Sequence, residues 1–321
     1  MTAPAGADRD ATMPLISIVV PVFNEAPIIR ANLLSILRAA EDNWYRLELI
    51  AVDDGAADDS ATEIAAAASE DSRIRLVSFT RNFGKEAAIL AGMQFARGDA
   101  VVVLDGDLQH PPELIVQMAQ YWKIGIYVVE AVKFSRGKER WYDGLLADGF
   151  YRLFKGFSGM DLRGQSDFKL LDRVVVDAYL AFPERQRFFR GIIGWAQYAS
   201  VQLPFSVAGR SDDGAGKWTR LKLLRYAIRN ITSFSSLPLK LVSLLGFLTL
   251  GFGAIVGAIS MMQKLNGQAI DGFTTVNLLV IIIGGAILLS LGIIGHYLAR
   301  LYDEVKGRPH FVVKPTRKRV E

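Results

Sequence analysis

The amino-acid sequence predicts an α/β domain built on a mostly parallel sheet, followed by two transmembrane helices. Three observations lead to this prediction. Short apolar strand patterns alternate with helical patterns through the first part of the chain. Two uncharged runs of helical length lie near the carboxyl terminus, and acidic residues follow several of the strands.

The alternating elements can be bounded from their hydrophobic periodicity. A first strand begins at Ile16 and is expected to break at Pro21, and apolar residues then recur at helical spacing from Ile28 to Leu37. Further strands are predicted at 47–53, 74–79 and 101–104, with helices at 62–68 and 84–97. Strands joined through helices in this way form parallel sheets with right-handed crossovers.

Acidic residues gather where the predicted strands end. Asp105 and Asp107, separated by Gly106, follow the fourth strand; Asp53 and Asp54 follow the second, and Asn24 and Glu25 the first. Ligands bind beyond the carboxyl ends of such strands, so these side chains are expected to share one crevice; a solvated acidic turn is the alternative for Asp105.

Hard oxygen donors in that crevice indicate the chemistry. The set Asp105, Asp107 and Gln109 suits Mg²⁺ or Mn²⁺ bridging to phosphate oxygens, and this favours a nucleotide-sugar donor. The sequence has no P-loop and no dinucleotide fingerprint after the first strand. Zero cysteines and three histidines leave few ligands for zinc.

The carboxyl-terminal half carries two uncharged runs, 241–262 and, His296 apart, 273–299. Each is long enough to cross a hydrocarbon core of ~30 Å, whereas a buried helical pair in a soluble core is the alternative. Lysine and arginine are abundant before the first run and after the second but scarce in the connecting loop. The positive-inside rule therefore places both termini in the cytoplasm.

These features divide the chain into five predicted segments. They are a disordered leader (1–14), a cytoplasmic catalytic domain (15–216), interfacial amphipathic helices (217–236), two transmembrane helices with a short outer loop (237–299), and a basic cytoplasmic tail (300–321). The net charge of +4 comes largely from the flanks of the apolar runs, so it suits anionic lipid rather than nucleic acid.

Several motifs together resemble one family. PVFNE at 21–25, VDDG at 52–55, RNFGKEAAILAG at 81–92 and DGDLQHPPE at 105–113 resemble the inverting GT-A glycosyltransferases of family 2. With the tail GHYLARLYDEVKGRPHFVV at 295–313, the chain is most similar to the polyprenyl-phosphate glycosyltransferases. The resemblance implies a GT-A domain, Mg²⁺ or Mn²⁺, and transfer of glucose from UDP-glucose to undecaprenyl phosphate at a bacterial inner membrane, with a homo-oligomer possible. Alternatives are mannose or aminoarabinose transfer, a processive synthase, or a non-catalytic scaffold.

The resemblance also implies roles for individual residues. Those for the nucleotide sugar are Pro21, Phe23, Glu25, Asp53, Asp54, Asp105, Gly106 and Asp107. Those for the metal are Asp105, Asp107 and Gln109, and those for the acceptor phosphate are Lys133, Arg136, Arg210 and Lys217. Asp167 and Asp107 stand at catalytic positions, with Asp167 acting either as a base or as an orienting carboxylate.

The sequence departs from the family pattern at two motifs. Ala56 and Ala57 replace the two hydroxyl residues usual in the second strand motif, and 214–217 reads GAGK instead of GESK. Arg210 is one residue farther from Lys217 than the pattern predicts. For Arg185, Arg187 and Arg190, a solvated helix face or a membrane-surface contact is the alternative to a role in the site. His110 is expected in a surface turn, and a supporting position beside the metal is its alternative.

Overall fold

The computed structural model describes residues 13–133, 165–185, 187–205, 237–266 and 272–315. These residues fall into two compact units. The first holds all seven strands, six helices and the tail from Pro309, and the second holds the two long apolar helices.

In the first unit, the strands are β1 (Leu15–Val22), β2 (Arg46–Asp53), β3 (Ile74–Ser78), β4 (Ala100–Val103), β5 (Val128–Lys133), β6 (Gln165–Asp172) and β7 (Ser200–Phe205). The helices are α1 (Ile29–Ala39), α2 (Ser60–Glu70), α3 (Lys85–Phe95), α4 (Leu114–Lys123), α5 (Arg173–Ala181) and α6 (Phe189–Ala196).

The strands form one sheet in the order β3-β2-β1-β4-β6-β5-β7. Every neighbouring pair is parallel except the two pairs made by β6, which runs antiparallel to β4 and to β5. The predicted mostly parallel α/β sheet is confirmed. Because β2, β1 and β4 are adjacent and parallel, their carboxyl ends meet at one edge of the sheet.

Burial on both faces explains why the central strands are apolar runs rather than alternating patterns. Ile16, Ile18 and Val20 of β1 pack with the apolar faces of α1, α2 and α4. On the opposite face α3 packs against β1 so closely that a Cβ on Gly92 would lie 2.1 Å from Val19 Cγ1. The sheet is therefore a middle layer between two layers of helices.

The first strand continues past the predicted break. Pro21 lies inside β1 and pairs with Val52, whereas pairing with β4 ends at Val19. Proline has no N–H to donate, but it stands beyond the last residue paired with β4. The strand therefore carries Pro21 and Val22 out to the edge where the acidic residues lie.

The second unit consists of α7 (Leu237–Leu265) and α8 (Phe273–Val305), which contact each other. Two stretches, Val242–Gln263 and Ile282–Val305, are long and apolar enough to cross a membrane. Their apolar side chains face outward; Phe247 is 74% and Leu288 71% exposed. A buried helical pair in a soluble core would cover such side chains, so the structure favours the membrane interpretation.

Candidate active site

The acidic residues predicted to converge do meet at the carboxyl edge of β1, β2 and β4. Burial raises the pKa of Glu25 to about 7, and the nearby charges of Asp107 and Asp105 contribute to the rise. Within the described part of the chain, no donor reaches the buried Glu25 Oε2. Three carboxylates from two strand ends therefore repel one another across a small space.

Asp53 and Asp54 are buried at the end of β2. Asp53 Oδ1 accepts a hydrogen bond from Ala56 N (2.8 Å), while its buried Oδ2 has no partner among the described residues. Asp54 accepts hydrogen bonds from the amides of Phe83 (2.7 Å) and Gly84 (2.9 Å). Asp54 therefore fixes the loop before α3, and Asp53 lies fully buried beneath the same edge with one carboxylate oxygen unpaired among the described residues.

Glycine is required at position 55 for two reasons. Its φ is +64°, and a Cβ there would lie 2.3 Å from the backbone carbon of Arg81. On the same edge Pro21 is half-buried, and Phe23 is 45% exposed. The ring of Phe23 is therefore accessible to a bound base.

Gly106 separates Asp105 from Asp107 for a steric reason. A Cβ at this position would lie 2.9 Å from both Glu25 Oε2 and Ile29 Cδ1. The Gly106 carbonyl accepts a hydrogen bond of 2.7 Å from Asn32 of α1. The aspartate pair is therefore held against β1 and α1, and any larger residue would push it away from Glu25.

A divalent cation fits this arrangement only if a bound diphosphate supplies further oxygen ligands. No group of three or more acidic or histidine side chains that could hold a metal occurs among the described residues. The pair Asp105 and Asp107 supplies hard oxygens, and Mg²⁺ is usually held by one or two carboxylates plus substrate phosphates. Gln109 is exposed, and its backbone N–H donates to Asp107 Oδ1 at 3.1 Å. The donor set thus suits a cation that arrives with a diphosphate.

Asp167, on β6, is clamped between two cations. Arg190 of α6 donates from Nε to Oδ1 (2.6 Å) and from Nη2 to Oδ2 (3.0 Å). Lys85 Nζ at the start of α3 donates to Oδ2 at 2.7 Å. Burial alone would raise the pKa of Asp167, but the Arg190 hydrogen bonds and the Lys85 charge hold it well below its usual range. Asp167 is therefore a firmly ionised carboxylate and a weak base.

Lys85 also joins Asp167 to the aspartate pair, because its Nζ lies 2.6 Å from Asp105 Oδ1. Burial alone would lower the pKa of Lys85, but the charges of Asp167 and Asp105 raise it above its ordinary value. The motif RNFGKEAAILAG contains this lysine, yet the sequence offers no signal for its two partners. Lys85 is the main site residue that sequence reasoning missed.

Glu86 connects the two helices that supply these cations. It lies in the first turn of α3, and its Oε2 accepts a hydrogen bond of 2.9 Å from Phe189 N at the start of α6. Burial raises the pKa of Glu86 to about 7. Because Lys85 precedes Glu86 and Arg190 follows Phe189, this bond sets the spacing of the Asp167 clamp.

A second ion pair lies on the same strand, two residues beyond Asp167. Lys169 is fully buried, and its Nζ lies 2.5 Å from Glu130 Oε1 on β5. Burial lowers the pKa of Lys169, and the charge of Glu130 opposes that effect. This pair fixes β6 against β5 beneath the site.

Two sequence interpretations near the site are wrong. Arg187 donates to the carbonyls of Tyr179 and Phe182 inside the fold, and Arg190 binds Asp167, so neither belongs to a solvated face or a membrane contact. His110 is half-buried between the rings of Phe168 and Phe205, at 5.6 and 5.3 Å, rather than in a surface turn.

Three of the four predicted acceptor-phosphate residues lie outside the part of the chain that the structure describes. Arg136, Arg210 and Lys217 lie outside the described residues, and Lys133 is the last residue of β5. Their roles stay predictions.

The tail after α8 packs on the same edge of the sheet. Thr80 N donates to Val312 O (2.9 Å), and Lys314 N donates to Ser78 O (2.7 Å). Phe311 stacks on the buried Phe79 with ring centroids 4.9 Å apart, and Phe79 in turn contacts Phe83. The tail therefore supports the loop whose amides bind Asp54.

Comparison with known proteins supplies the family. The family model described as "Glycosyl transferase family 2" matches residues 17–173. The uncharacterized glycosyltransferase YkcC of Bacillus subtilis is 37% identical over 93% of this chain and 93% of its own length. The SfII prophage-derived bactoprenol glucosyl transferase of Shigella flexneri is 34% identical over 93% and 97% respectively.

Among solved structures, the mannosyltransferase PcManGT from Pyrobaculum calidifontis, in complex with GDP-Man and Mn²⁺, is 18% identical with a TM-score of 0.45. The match covers 87% of this chain and 88% of that one. The resemblance predicted from the motifs is confirmed by the relatives above 30% identity, which match nearly the whole length. The chain is a glycosyltransferase and belongs to glycosyltransferase family 2.

Proposed function

We propose that this enzyme transfers one glucose from UDP-glucose to undecaprenyl phosphate, with inversion, at the cytoplasmic face of a bacterial inner membrane. The observation that carries the proposal is the bridge that Lys85 makes at one edge of the sheet between Asp105, the first carboxylate of the aspartate pair, and the clamped Asp167. Relatives named bactoprenol glucosyl transferase support the lipid acceptor and the sugar. The exposed apolar faces of α7 and α8 support a membrane location.

The donor would lie across the carboxyl ends of β1, β2 and β4. Phe23 offers an exposed ring to the base on this edge. Asp53 is fully buried, and its hydrogen bond from Ala56 N supports the turn beneath the nucleoside. Asp105 and Asp107 would hold Mg²⁺ or Mn²⁺, which when bound neutralises charge on the departing diphosphate. Glu25 limits the space behind Gly106, so the diphosphate stays on the open side.

The acceptor brings its own nucleophile. A phosphate monoester has a second pKa near ~6, so at pH 7 it is mostly a dianion and its oxygen can attack without losing a proton. One bond forms from that oxygen to the anomeric carbon while the bond to the diphosphate breaks, and UDP leaves. Lys133, Arg136, Arg210 and Lys217 are proposed to neutralise the acceptor so that two anionic groups can approach.

Asp167 is proposed to orient cations rather than to accept a proton. Its depressed pKa makes it a poor base, and all its described hydrogen bonds come from Lys85 and Arg190. The base alternative would need a carboxylate with a pKa nearer the working pH. The geometry thus favours one of the two roles left open by the sequence.

The two long apolar helices and the charged residues around them support a multi-pass protein whose catalytic domain faces the cytoplasm. The lysine and arginine residues that flank the two apolar runs favour that orientation. A homo-oligomer stays a prediction.

The direct test is a donor panel. Purified full-length protein in lipid nanodiscs is mixed with undecaprenyl phosphate, Mg²⁺ or Mn²⁺, and UDP-glucose, GDP-mannose or a UDP-aminoarabinose, and nucleoside diphosphate release is measured. Release from UDP-glucose that depends on the lipid supports the proposal. Preference for another donor would reassign the sugar, and no lipid-dependent release from any donor would favour the scaffold alternative.

A further inference from the structure

The ammonium group of Lys85 occupies a position that a divalent cation would also need. Its Nζ lies 2.6 Å from Asp105 Oδ1 and 2.7 Å from Asp167 Oδ2. The side chain is 40% exposed, so it can move, whereas Asp167 is only 10% exposed and fixed by Arg190. One end of this bridge is therefore rigid and the other can open.

A metal ion and the ammonium cannot both stay close to the same Asp105 oxygen. Metal–carboxylate oxygen distances are about 2.0–2.1 Å for Mg²⁺, so a cation on Oδ1 would lie within a few ångströms of Nζ. The like charges would repel strongly in this half-buried crevice. Binding of the metal requires Lys85 to give up Asp105.

We propose that Lys85 is a built-in competitor of the metal: it holds Asp105 while the site lacks donor, and it is displaced toward Asp167 when a divalent cation arrives with the diphosphate. The proposal rests on the proposed function for the identity of that diphosphate. Lys85 is not among the site residues predicted from the motifs, and the proposal gives it a positioning role at the metal site.

The exchange explains how an edge crowded with carboxylates stays ordered before the donor binds. Without a cation, Glu25, Asp105 and Asp107 repel one another, and Lys85 supplies the only described ammonium or guanidinium paired with Asp105. A bare metal ion must replace that interaction, whereas a metal–diphosphate complex brings extra oxygen ligands. The site is therefore selective for metal and nucleotide together.

The test measures Mn²⁺ binding to the full-length protein in detergent, with no sugar or lipid present, by electron paramagnetic resonance of the free ion. Lys85→Met removes the charge but keeps the length of the chain, and it should tighten Mn²⁺ binding about tenfold. Lys85→Arg keeps the competing charge and should bind Mn²⁺ as weakly as the wild type. Lys123→Met is a matched control at the opposite edge of the sheet, where Lys123 lies over the Trp44 ring.

A second uncharged variant distinguishes an effect on Mn²⁺ binding from a folding defect. If Lys85→Met lowers the melting temperature strongly, Lys85→Gln is measured in the same way and should also tighten Mn²⁺ binding. Unchanged or weaker Mn²⁺ binding in a folded, uncharged variant would overturn the proposal. Because the assay contains no donor sugar or acceptor, a wrong substrate assignment would change the transfer assay and leave this result intact.

Discussion

Replacing Glu86 by glutamine should stabilise the protein above neutral pH. Burial raises the pKa of Glu86 from 4.5 to about 7, so the folded state holds this proton more tightly than the unfolded state does. The corresponding stability is fully present below the unfolded pKa and is lost as pH rises toward 7. In the wild type, the Phe189 N–H donates to Glu86 Oε2 at 2.9 Å. In Glu86→Gln, the side-chain amide oxygen would accept the same hydrogen bond. The amide carries no charge, so its burial would not require the desolvation of an ionised group.

The magnitude follows from the pKa change. At about 1.36 kcal/mol per pKa unit, the cost of ionising Glu86 in the folded state has an upper limit of about 3 kcal/mol. Partial exposure of the side chain reduces this to about 1–2 kcal/mol. For a unit of this size, that corresponds to a melting temperature about 3–6 °C higher at pH 8.

The assay is thermal unfolding of the full-length protein in detergent between pH 5 and 8.5. The wild type should lose stability across this range, and Glu86→Gln should lose less, with the remaining slope coming partly from Glu25. Glu184→Gln, at an exposed position, is the control and should follow the wild type. A Glu86→Gln protein that melts below the wild type at pH 8, or in parallel with it at every pH, would refute the reasoning.

Four further predictions concern the site and the topology. Asp107→Asn should abolish metal-dependent transfer while the melting temperature stays within a few degrees; wild-type turnover in excess EDTA would argue against the metal. Asp167→Asn should lower kcat by ~10²-fold or more without removing the acid limb of the pH–rate profile, since that limb belongs to the acceptor phosphate; loss of the limb would identify a base. Phe311→Ala should cost ~1–2 kcal/mol, less than a fully buried phenylalanine, because the half-buried ring stacks on Phe79. It should also weaken UDP binding, and unchanged UDP affinity would show that the tail does not support the nucleotide loop. A cysteine at Asn266 should react with an impermeant reagent from outside the cell and one at Thr316 should not; the reverse result would invert the topology.

The central part of the fold could be predicted from sequence because its signals are local. Buried parallel strands are apolar runs, and acidic residues stand at or just beyond the ends of β1, β2 and β4. The rule that parallel strands present their carboxyl ends together is enough to place Glu25 near Asp105 and Asp107 from the sequence alone. The strands and helices predicted from hydrophobic periodicity occur in the structure, and their observed boundaries differ from the predicted ones by only a few residues.

The parts that sequence reasoning missed depend on contacts between distant residues. Lys85 and Asp167 are separated by 82 positions, and Phe189 and Glu86 by 103. No periodicity links such pairs; only the packing of α3 on β1 and β2 and of α6 on β6 brings them together. The pairing of the tail beside β3 is missed for the same reason, because Val313 lies far along the chain from Phe79.

The measurement that tests the central claim most directly is mass spectrometry of the lipid product. Full-length protein in nanodiscs is incubated with undecaprenyl phosphate, UDP-glucose and Mg²⁺, and the lipid fraction is compared with that from Asp107→Asn. Our account predicts one hexose on each modified undecaprenyl phosphate, one UDP released for each product, and no product with the variant. UDP release without a glycosylated lipid, or a lipid that carries several hexoses, would contradict it.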